Sequence, residues 1–129
     1  MLYFSVRLDN GLVFDTQKNI WMQLKCNGKP ILGSGMNGVV VGDFLYLFGG
    51  RTVKQTEFFE DLLVLDLICF DWFVAKVDNK IHKVQIEYAT FNYANKSFWV
   101  SGGYFYGPKQ DIIRIQLVDK KHESLFFEK

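Results

Sequence analysis

Short runs of β-branched, aromatic and leucine residues, separated by polar or glycine-containing links, recur along the chain. Gly38–Val41 and Phe44–Phe48 are joined by Gly42-Asp43, and two β-rich runs with a Gly-Asp link are typical of a tight hairpin. The runs Leu62–Leu67 and Trp72–Val74 follow. Four strands that are each joined to the next form an antiparallel meander, so the pattern predicts an all-β fold.

This arrangement recurs at an interval of about 50 residues. Gly49-Gly50 and Gly102-Gly103 each end a short apolar-aromatic run, and each pair is followed by a loop, an acidic residue and a second run. The acidic residues are Asp61 and Asp111. The chain is therefore expected to contain repeated structural units.

Three bulky residues mark the same position of the interval. Trp72 and His122 each lie eleven residues after the acidic residue, and Trp21 takes the corresponding place in the first part of the chain. The three are thus 51 and 50 residues apart. A double glycine after an aromatic strand, repeated about every 50 residues, resembles the kelch repeat. The resemblance spans nearly the whole chain and is most specific in residues 44–72.

The resemblance implies roles for the repeated residues. Kelch repeats form the blades of a β-propeller, in which the paired glycines lie near the hub and the tryptophans fill the space between blades. The family's aromatic–acidic pair corresponds here to Phe14-Asp15, Leu65-Asp66 and Ile115-Gln116. The predicted motif residues are Asp15, Trp21, Gly49, Gly50, Asp61, Asp66, Trp72, Gly102, Gly103, Asp111 and His122.

The repeats predict a partial kelch-type β-propeller of about two and two-thirds four-stranded antiparallel blades, not closed, because propellers close with about four to eight blades. Residues 1–25 are expected to form an incomplete blade, and residues 26–76 and 77–129 one kelch blade each, within a single domain. End repeats leave apolar faces exposed, here with rings such as Phe91 and Phe98. The chain is interpreted as a fragment of a larger kelch protein. Self-association through the exposed blade faces and a decayed reading frame are the alternatives.

Composition and charge narrow the range of partners. Aromatic residues make up 17% of the 129 residues, and 15 basic and 14 acidic side chains leave a net charge of +1. No basic patch points to nucleic acid or an anionic membrane, and no apolar run reaches the roughly 18 residues that a membrane-spanning helix needs. Because Cys26 and Cys69 are interpreted as free thiols and no signal-peptide core is visible, the chain is predicted to be cytoplasmic.

Catalytic chemistry has little support in the sequence. His82 and His122 lie 40 residues apart, whereas metal and catalytic sites need several convergent groups. No catalytic residue, metal ligand or cofactor is predicted, and the expected function is non-enzymatic. Some kelch propellers are enzymes, so the resemblance leaves an alternative: part of a metal-dependent oxidase or sugar-modifying enzyme whose active site lies on blades that this chain lacks.

The long connections supply the candidate binding surface. In a meander, the loop between the second and third strands points to the same face as the connection between blades. The longest connections are of these two kinds: Asn27–Ser34, Arg51–Glu60, Asp78–Lys83 and Tyr104–Gln110. Loops on a rigid scaffold commonly carry binding residues, and aromatic and Arg residues are enriched in interface hot spots.

We therefore expect this face to bind a protein partner. The candidate binding residues are Arg51, Lys54, Phe58, Phe59, Tyr104, Phe105, Tyr106 and Lys109. Two of them, Phe58 and Phe59, have an alternative structural role, which is to pin their loop to the blade.

Overall fold

A computed structural model of the chain describes residues 2–5, 12–23, 27, 33–52, 58–75, 77 and 85–117. These residues form twelve β-strands and no helix, so the prediction of an all-β fold is confirmed. Within the described ranges there is accordingly no helix that could cross a membrane. The strands are β1 Leu2–Ser5, β2 Leu12–Asp15, β3 Ile20–Gln23, β4 Gly33–Ser34, β5 Asn37–Val41, β6 Phe44–Phe48, β7 Arg51–Thr52, β8 Leu63–Asp66, β9 Trp72–Val74, β10 Thr90–Ala94, β11 Ser97–Ser101 and β12 Ile112–Ile115.

The first sheet contains β1, β2 and β3 in that order, and its strands are antiparallel. Phe14 pairs with Trp21 across β2 and β3, and their ring centroids are 5.0 Å apart. Trp21 is 59% exposed among the described residues, and its place between two blades stays a prediction. Pairing within the sheet covers one side of the indole, but no described sheet covers the other.

The second sheet has the strand order β5-β6-β8-β9, which confirms the predicted four-stranded antiparallel meander. Gly42, with a φ of 59°, supplies the left-handed backbone of the β5–β6 hairpin. Leu65 pairs with Trp72 across β8 and β9. Phe14 and Trp21 pair in the same way 51 residues earlier, so the sequence frame coincides with the strand register.

The third sheet has the order β10-β11-β12, again antiparallel. Its first hairpin turns at Asn95 and Lys96, whose φ angles are 51° and 59°. Two consecutive left-handed residues are the signature of a type I′ turn, which suits the twist of a two-residue hairpin. The predicted outer strand at 125–127 and His122 lie outside the described residues.

The predicted loop Arg51–Glu60 begins as a strand. Arg51 and Thr52 form β7, which pairs antiparallel with β4 in a separate two-stranded sheet. Phe58 then pairs with Arg51 as an isolated bridge, so the loop folds back on its own start. Residues 51–60 contain no long apolar run that would predict a strand. The β4–β7 pairing joins residues that lie 17 or more positions apart, so no local pattern indicates it.

The main core lies between the second and third sheets. Tyr46 and Phe98 are completely buried, and their ring centroids are 4.5 Å apart. Phe91 stacks on Phe98 at 5.4 Å and also faces Phe48 at 5.8 Å. The expectation that Phe91 and Phe98 form an open apolar face is therefore wrong, because both rings point inward against the second sheet. Burial also raises the pKa of the Tyr46 hydroxyl, which stays neutral in this core.

The opposite face of the second sheet has its own apolar cluster. Leu45, Leu47 and Leu65 are buried there, and Trp72 packs against them. Trp72 is half-buried, and its Nε1 atom is buried with no hydrogen-bond partner among the described residues. Trp72 thus packs on the face of the second sheet that points away from the third sheet.

The double glycines of the two repeats meet at one place. The backbone N–H of Gly50 donates a hydrogen bond of 2.7 Å to the carbonyl oxygen of Ile86. A Cβ atom at Gly49 would lie 2.5 Å from that oxygen, and one at Gly103 would lie 2.7 Å from the Ile86 side chain. All three glycines have positive φ angles. The paired glycines therefore permit a close approach of neighbouring segments, as predicted.

Candidate functional site: an aromatic loop surface

Phe58 joins the two long loops that the sequence assigned to one face. Its ring centroid lies 5.0 Å from that of Phe105 and 6.0 Å from that of Tyr106, both in edge-to-face geometry. Phe105 and Tyr106 are themselves 4.8 Å apart. Such pairs are each favourable by about 0.5–1.5 kcal/mol beyond the area that they bury. The loops after β7 and β11 therefore form one surface, although they are about 50 residues apart in sequence.

Arg51 connects this aromatic group to a buried carboxylate. Its guanidinium carbon lies 4.4 Å from the centroid of the Phe58 ring, and its Nη2 lies 3.1 Å from Oε1 of Glu87. The side chains of Arg51 and Glu87 are only 22% and 8% exposed. Their attraction is therefore less screened by solvent than that of a surface pair. The ion pair fixes the position of β7 relative to residue 87.

The backbone pairing of Glu87 has an equivalent in the preceding repeat. Glu87 pairs with Tyr104 through reciprocal hydrogen bonds of 3.0 and 2.8 Å. Ser34 pairs with Arg51 in the same way 53 residues earlier. The sequence interpretation missed Glu87. A usable signal existed, since an acidic residue stands where the preceding repeat has a serine.

The loop after β11 is tightly folded. The N–H of Lys109 donates to the carbonyl of Gly103 at 2.9 Å, and the N–H of Phe105 donates to the carbonyl of Gly107 at 3.0 Å. The Lys109 ammonium lies 5.6 Å from the centroid of the Phe105 ring, which is within the range of a cation–π contact. The loop presents its side chains in a defined arrangement.

Three tyrosines are exposed on or beside this loop cluster. Tyr106 is 80% exposed, Tyr88 65% and Tyr104 43%. Tyr88 was not among the predicted binding residues. It follows Glu87 directly, and its N–H donates to the carbonyl of Gly35 at 2.8 Å. We call the following set the aromatic loop surface: Arg51, Phe58, Glu87, Tyr88, Tyr104, Phe105, Tyr106 and Lys109.

One predicted binding residue, Phe59, does not belong to this surface. Phe59 packs towards Gly33, where an added Cβ atom would lie 2.6 Å from its ring. Its N–H donates to the carbonyl of Gly50 at 2.9 Å. Phe59 therefore has the alternative, structural role of pinning the loop to the scaffold. Lys54 lies outside the described residues.

The acidic motif residues are of two kinds. Oδ1 of Asp66 accepts hydrogen bonds from the N–H groups of Ile68 and Cys69 at 2.7 and 3.1 Å, and Asp15 does the same for the turn after β2. Partial burial would raise the pKa of Asp66, but these donors outweigh it and lower the pKa. These two aspartates stabilise turns. Asp61 and Asp111 are exposed.

The described part of the chain has no cluster of side chains suited to a metal ion. Those ranges contain no group of three or more His, Cys, Asp and Glu side chains that could hold a metal ion. Cys69 is an exposed free thiol, 3.3 Å from Oδ2 of Asp71. Cys26, His82 and His122 are not among the described residues.

Comparison with known proteins identifies no relative. No family model matches the sequence, and no curated protein matches it. The repeated strand register and the aromatic loop surface are therefore the basis of the function proposed below.

Proposed function

We propose that this chain is a non-enzymatic kelch-type repeat module, part of a β-propeller, that binds a protein partner through the aromatic loop surface. The equivalence of the repeats supports the architecture. Phe14 pairs with Trp21 as Leu65 pairs with Trp72. Stacked antiparallel sheets with glycines at a shared close approach are the arrangement of propeller blades.

One observation carries the binding proposal: Phe58 holds together loops from two successive repeats, and tyrosines remain exposed around the junction. The junction is built by side chains with no catalytic group among them. Tyr and Arg are enriched in the residues that dominate protein–protein affinity. Binding loops on a rigid sheet scaffold also lose little entropy when a partner binds.

Site-specific cross-linking tests this proposal. A photoreactive phenylalanine analogue at Tyr106 should capture a discrete partner from cell extract, whereas the same analogue at Trp21 should not. Trp21 is the matched control because it is an aromatic residue of similar exposure on the first sheet. The captured partner, once purified, should bind Tyr106→Ala about tenfold more weakly than the unmodified chain. Equal affinity for both proteins would refute the assignment of the surface.

A further inference from the structure

Of the two cations of the aromatic loop surface, Arg51 is paired with a carboxylate and Lys109 contacts an aromatic ring. The Glu87 carboxylate and the Phe58 ring together hold the guanidinium of Arg51. The ring of Phe105 lies against the ammonium of Lys109. An acidic partner would have to compete with Glu87 for a largely buried Arg51, and separating such a pair is costly. Charge attraction is therefore a poor basis for recognition here.

The groups that remain available are phenol rings. Tyr106, Tyr88 and Tyr104 each present an apolar ring face and a hydroxyl group that can donate a hydrogen bond. Lys109 adds further N–H donors at the edge of the same loop. The surface thus offers flat apolar contacts together with donors, while its buried acceptor, Glu87, is already engaged by Arg51.

Backbone conformation fixes two of these rings in place. Tyr88 and Tyr106 have φ angles of 57° and 49°. The left-handed region costs a non-glycine residue about 1–2 kcal/mol. The other described non-glycine residues with positive φ lie in turns between adjacent strands: Asn19, Phe70, Asn95 and Lys96. Tyr106 also lies in a turn, which the isolated bridge between Tyr104 and Pro108 closes, whereas Tyr88 does not lie between two adjacent strands.

We propose that the partner presents a proline-rich segment in the polyproline II conformation, an inference that rests on the proposed function. Such a segment has carbonyl acceptors without partners in its own chain and few N–H donors, because proline has none. Its rings pack on aromatic side chains, and its extended conformation is largely formed before binding. It therefore complements a surface of exposed phenol rings and hydroxyl donors in which the guanidinium of Arg51 is already paired with Glu87.

Peptide titration monitored by NMR tests the inference on the full chain. Three peptides are compared: one with two PxxP segments, the same sequence with each Pro replaced by Gly, and an acidic Asp/Glu peptide. Only the proline-rich peptide should shift the signals of Tyr88, Tyr104 and Tyr106. Its affinity should change less than about twofold between roughly 50 and 500 mM NaCl. Tyr106→Ala should weaken it about tenfold and Trp21→Ala should not.

Two results would overturn this partner class. Preferential, strongly salt-dependent binding of the acidic peptide would show that recognition is electrostatic. If no peptide binds while cross-linking at Tyr106 still captures a partner, the proposed function stands and the proline-rich class is wrong. If cross-linking also fails, the proposed function itself is wrong.

The outer face of the third sheet is polar, whereas its inner face belongs to the core. Along β10, Phe91 points inward and Asn92 outward, and β11 and β12 alternate in the same way. The outward residues are mainly polar, namely Thr90, Asn92, Ser97, Ser101 and Arg114, but they also include Ala94, Trp99 and the exposed Ile112, and Ser97 is buried. Asn92, Trp99 and Arg114 lie side by side in one row across the three strands.

The equivalent row of the second sheet is apolar. Val39, Tyr46 and Val64 lie side by side across β5, β6 and β8. They face the third sheet and belong to its core or pack against it. The repeat therefore replaces valine, tyrosine and valine by asparagine, tryptophan and arginine at matching positions. In the second sheet this row packs against the third sheet, whereas the matching row of the third sheet is Asn92, Trp99 and Arg114.

The outward side chains are also bonded to one another. Nε of Arg114 donates a hydrogen bond of 2.9 Å to Oγ of Ser97, and the guanidinium lies 5.9 Å from the centre of the Trp99 ring. The indole N–H of Trp99 donates to the carbonyl of Ala94 at 3.0 Å. No described carboxylate forms an ion pair with Arg114. Covering this face with another sheet would bury an arginine whose charge has no such partner.

We infer that no second copy of the chain packs on this face in solution. A polar outer face is the property that keeps the terminal unit of a repeat protein soluble. The inference does not depend on the binding proposal, because it involves a different sheet face.

Matched lysine substitutions test this inference. Asn92→Lys should leave the melting temperature within about 2 °C and the mass in light scattering unchanged, because the new charge stays in water. Val39→Lys, at the equivalent position of the second sheet, should lower the melting temperature by more than about 5 °C. Conversely, Asn92→Val with Arg114→Val should promote self-association by restoring an apolar row. Equal destabilisation by the two lysines would show that the outer face is covered.

Discussion

Adding one methyl group at Gly50 probes the close approach between neighbouring segments. The φ angle of Gly50 is +90°, and a Cβ atom there would lie 2.7 Å from the carbonyl oxygen of Ser34 and 2.5 Å from Cγ of Met36. The Met36 side chain can move aside. The Ser34 carbonyl belongs to β4, which pairs with β7, so it can shift only if that pairing is disturbed.

The expected cost of Gly50→Ala has two parts. A non-glycine residue at positive φ loses about 1–2 kcal/mol, and the contact with the Ser34 backbone adds about 2 kcal/mol or more. The free energy of unfolding should therefore fall by about 3–4 kcal/mol. For a domain of this size, 1 kcal/mol corresponds to about 4 °C. The melting temperature should accordingly drop by about 12–16 °C in a thermal scan followed by circular dichroism.

Gly42→Ala is the matched control. Gly42 also has a positive φ, +59°, but an added Cβ atom would have nothing within 4 Å. This variant incurs only the conformational cost, so its melting temperature should fall by about 4–8 °C. If the two variants lose the same stability, Gly50 is not required for a close approach, and the role assigned to the double glycine is refuted.

Three further perturbations have defined expectations. Phe98→Ala removes a fully buried ring and should cost about 3–5 kcal/mol in urea unfolding; a loss under about 1 kcal/mol would contradict its place in the core. Glu87→Gln leaves Arg51 largely buried without its carboxylate partner and should cost about 3 kcal/mol, so an unchanged unfolding midpoint would exclude a stabilising pair. Because the folded-state pKa of Asp66 is lowered, its stabilisation is present above the ordinary value of 3.8 and is lost as the pH falls through the folded-state pKa. Asp66→Asn should therefore reduce the fall in melting temperature between about pH 6 and pH 2, and an identical fall in both proteins would exclude this contribution.

Local features of the fold were readable in the sequence. The Gly42-Asp43 hairpin and the turn closed by Asp66 each depend on residues only a few positions apart. Their backbone conformations follow from the short-range chemistry of Gly and Asp and from the two-residue period of a strand. The interval of about 50 residues also predicted which positions occupy equivalent strands.

The candidate site was predicted in part. The loops that carry Phe58 and Tyr106 were expected on the same face, and the structure brings them into contact. Glu87 and Tyr88 were missed because each is placed there by pairing with a distant segment, Glu87 with Arg51 and Tyr88 with Gly35. For Tyr88 the sequence contains no local signal of this contact, whereas Glu87 stands at the position that Ser34 has in the preceding repeat, which was a usable signal.

The sequence alone determined the strands of the long apolar runs, their turns and the repeat frame, since these depend on neighbouring residues, whereas the short strands β4 and β7 were not predicted. Only the tertiary structure decided which strand faces are covered. Trp21 and Trp72 occupy the same repeat position, yet Trp21 is exposed and Trp72 packs on a leucine cluster. Phe91 points into a core and Asn92 into solvent because a second sheet lies on one side of β10 and none of the described sheets lies on the other. Burial depends on the long-range stacking of sheets, which the short-range pattern of a strand does not specify.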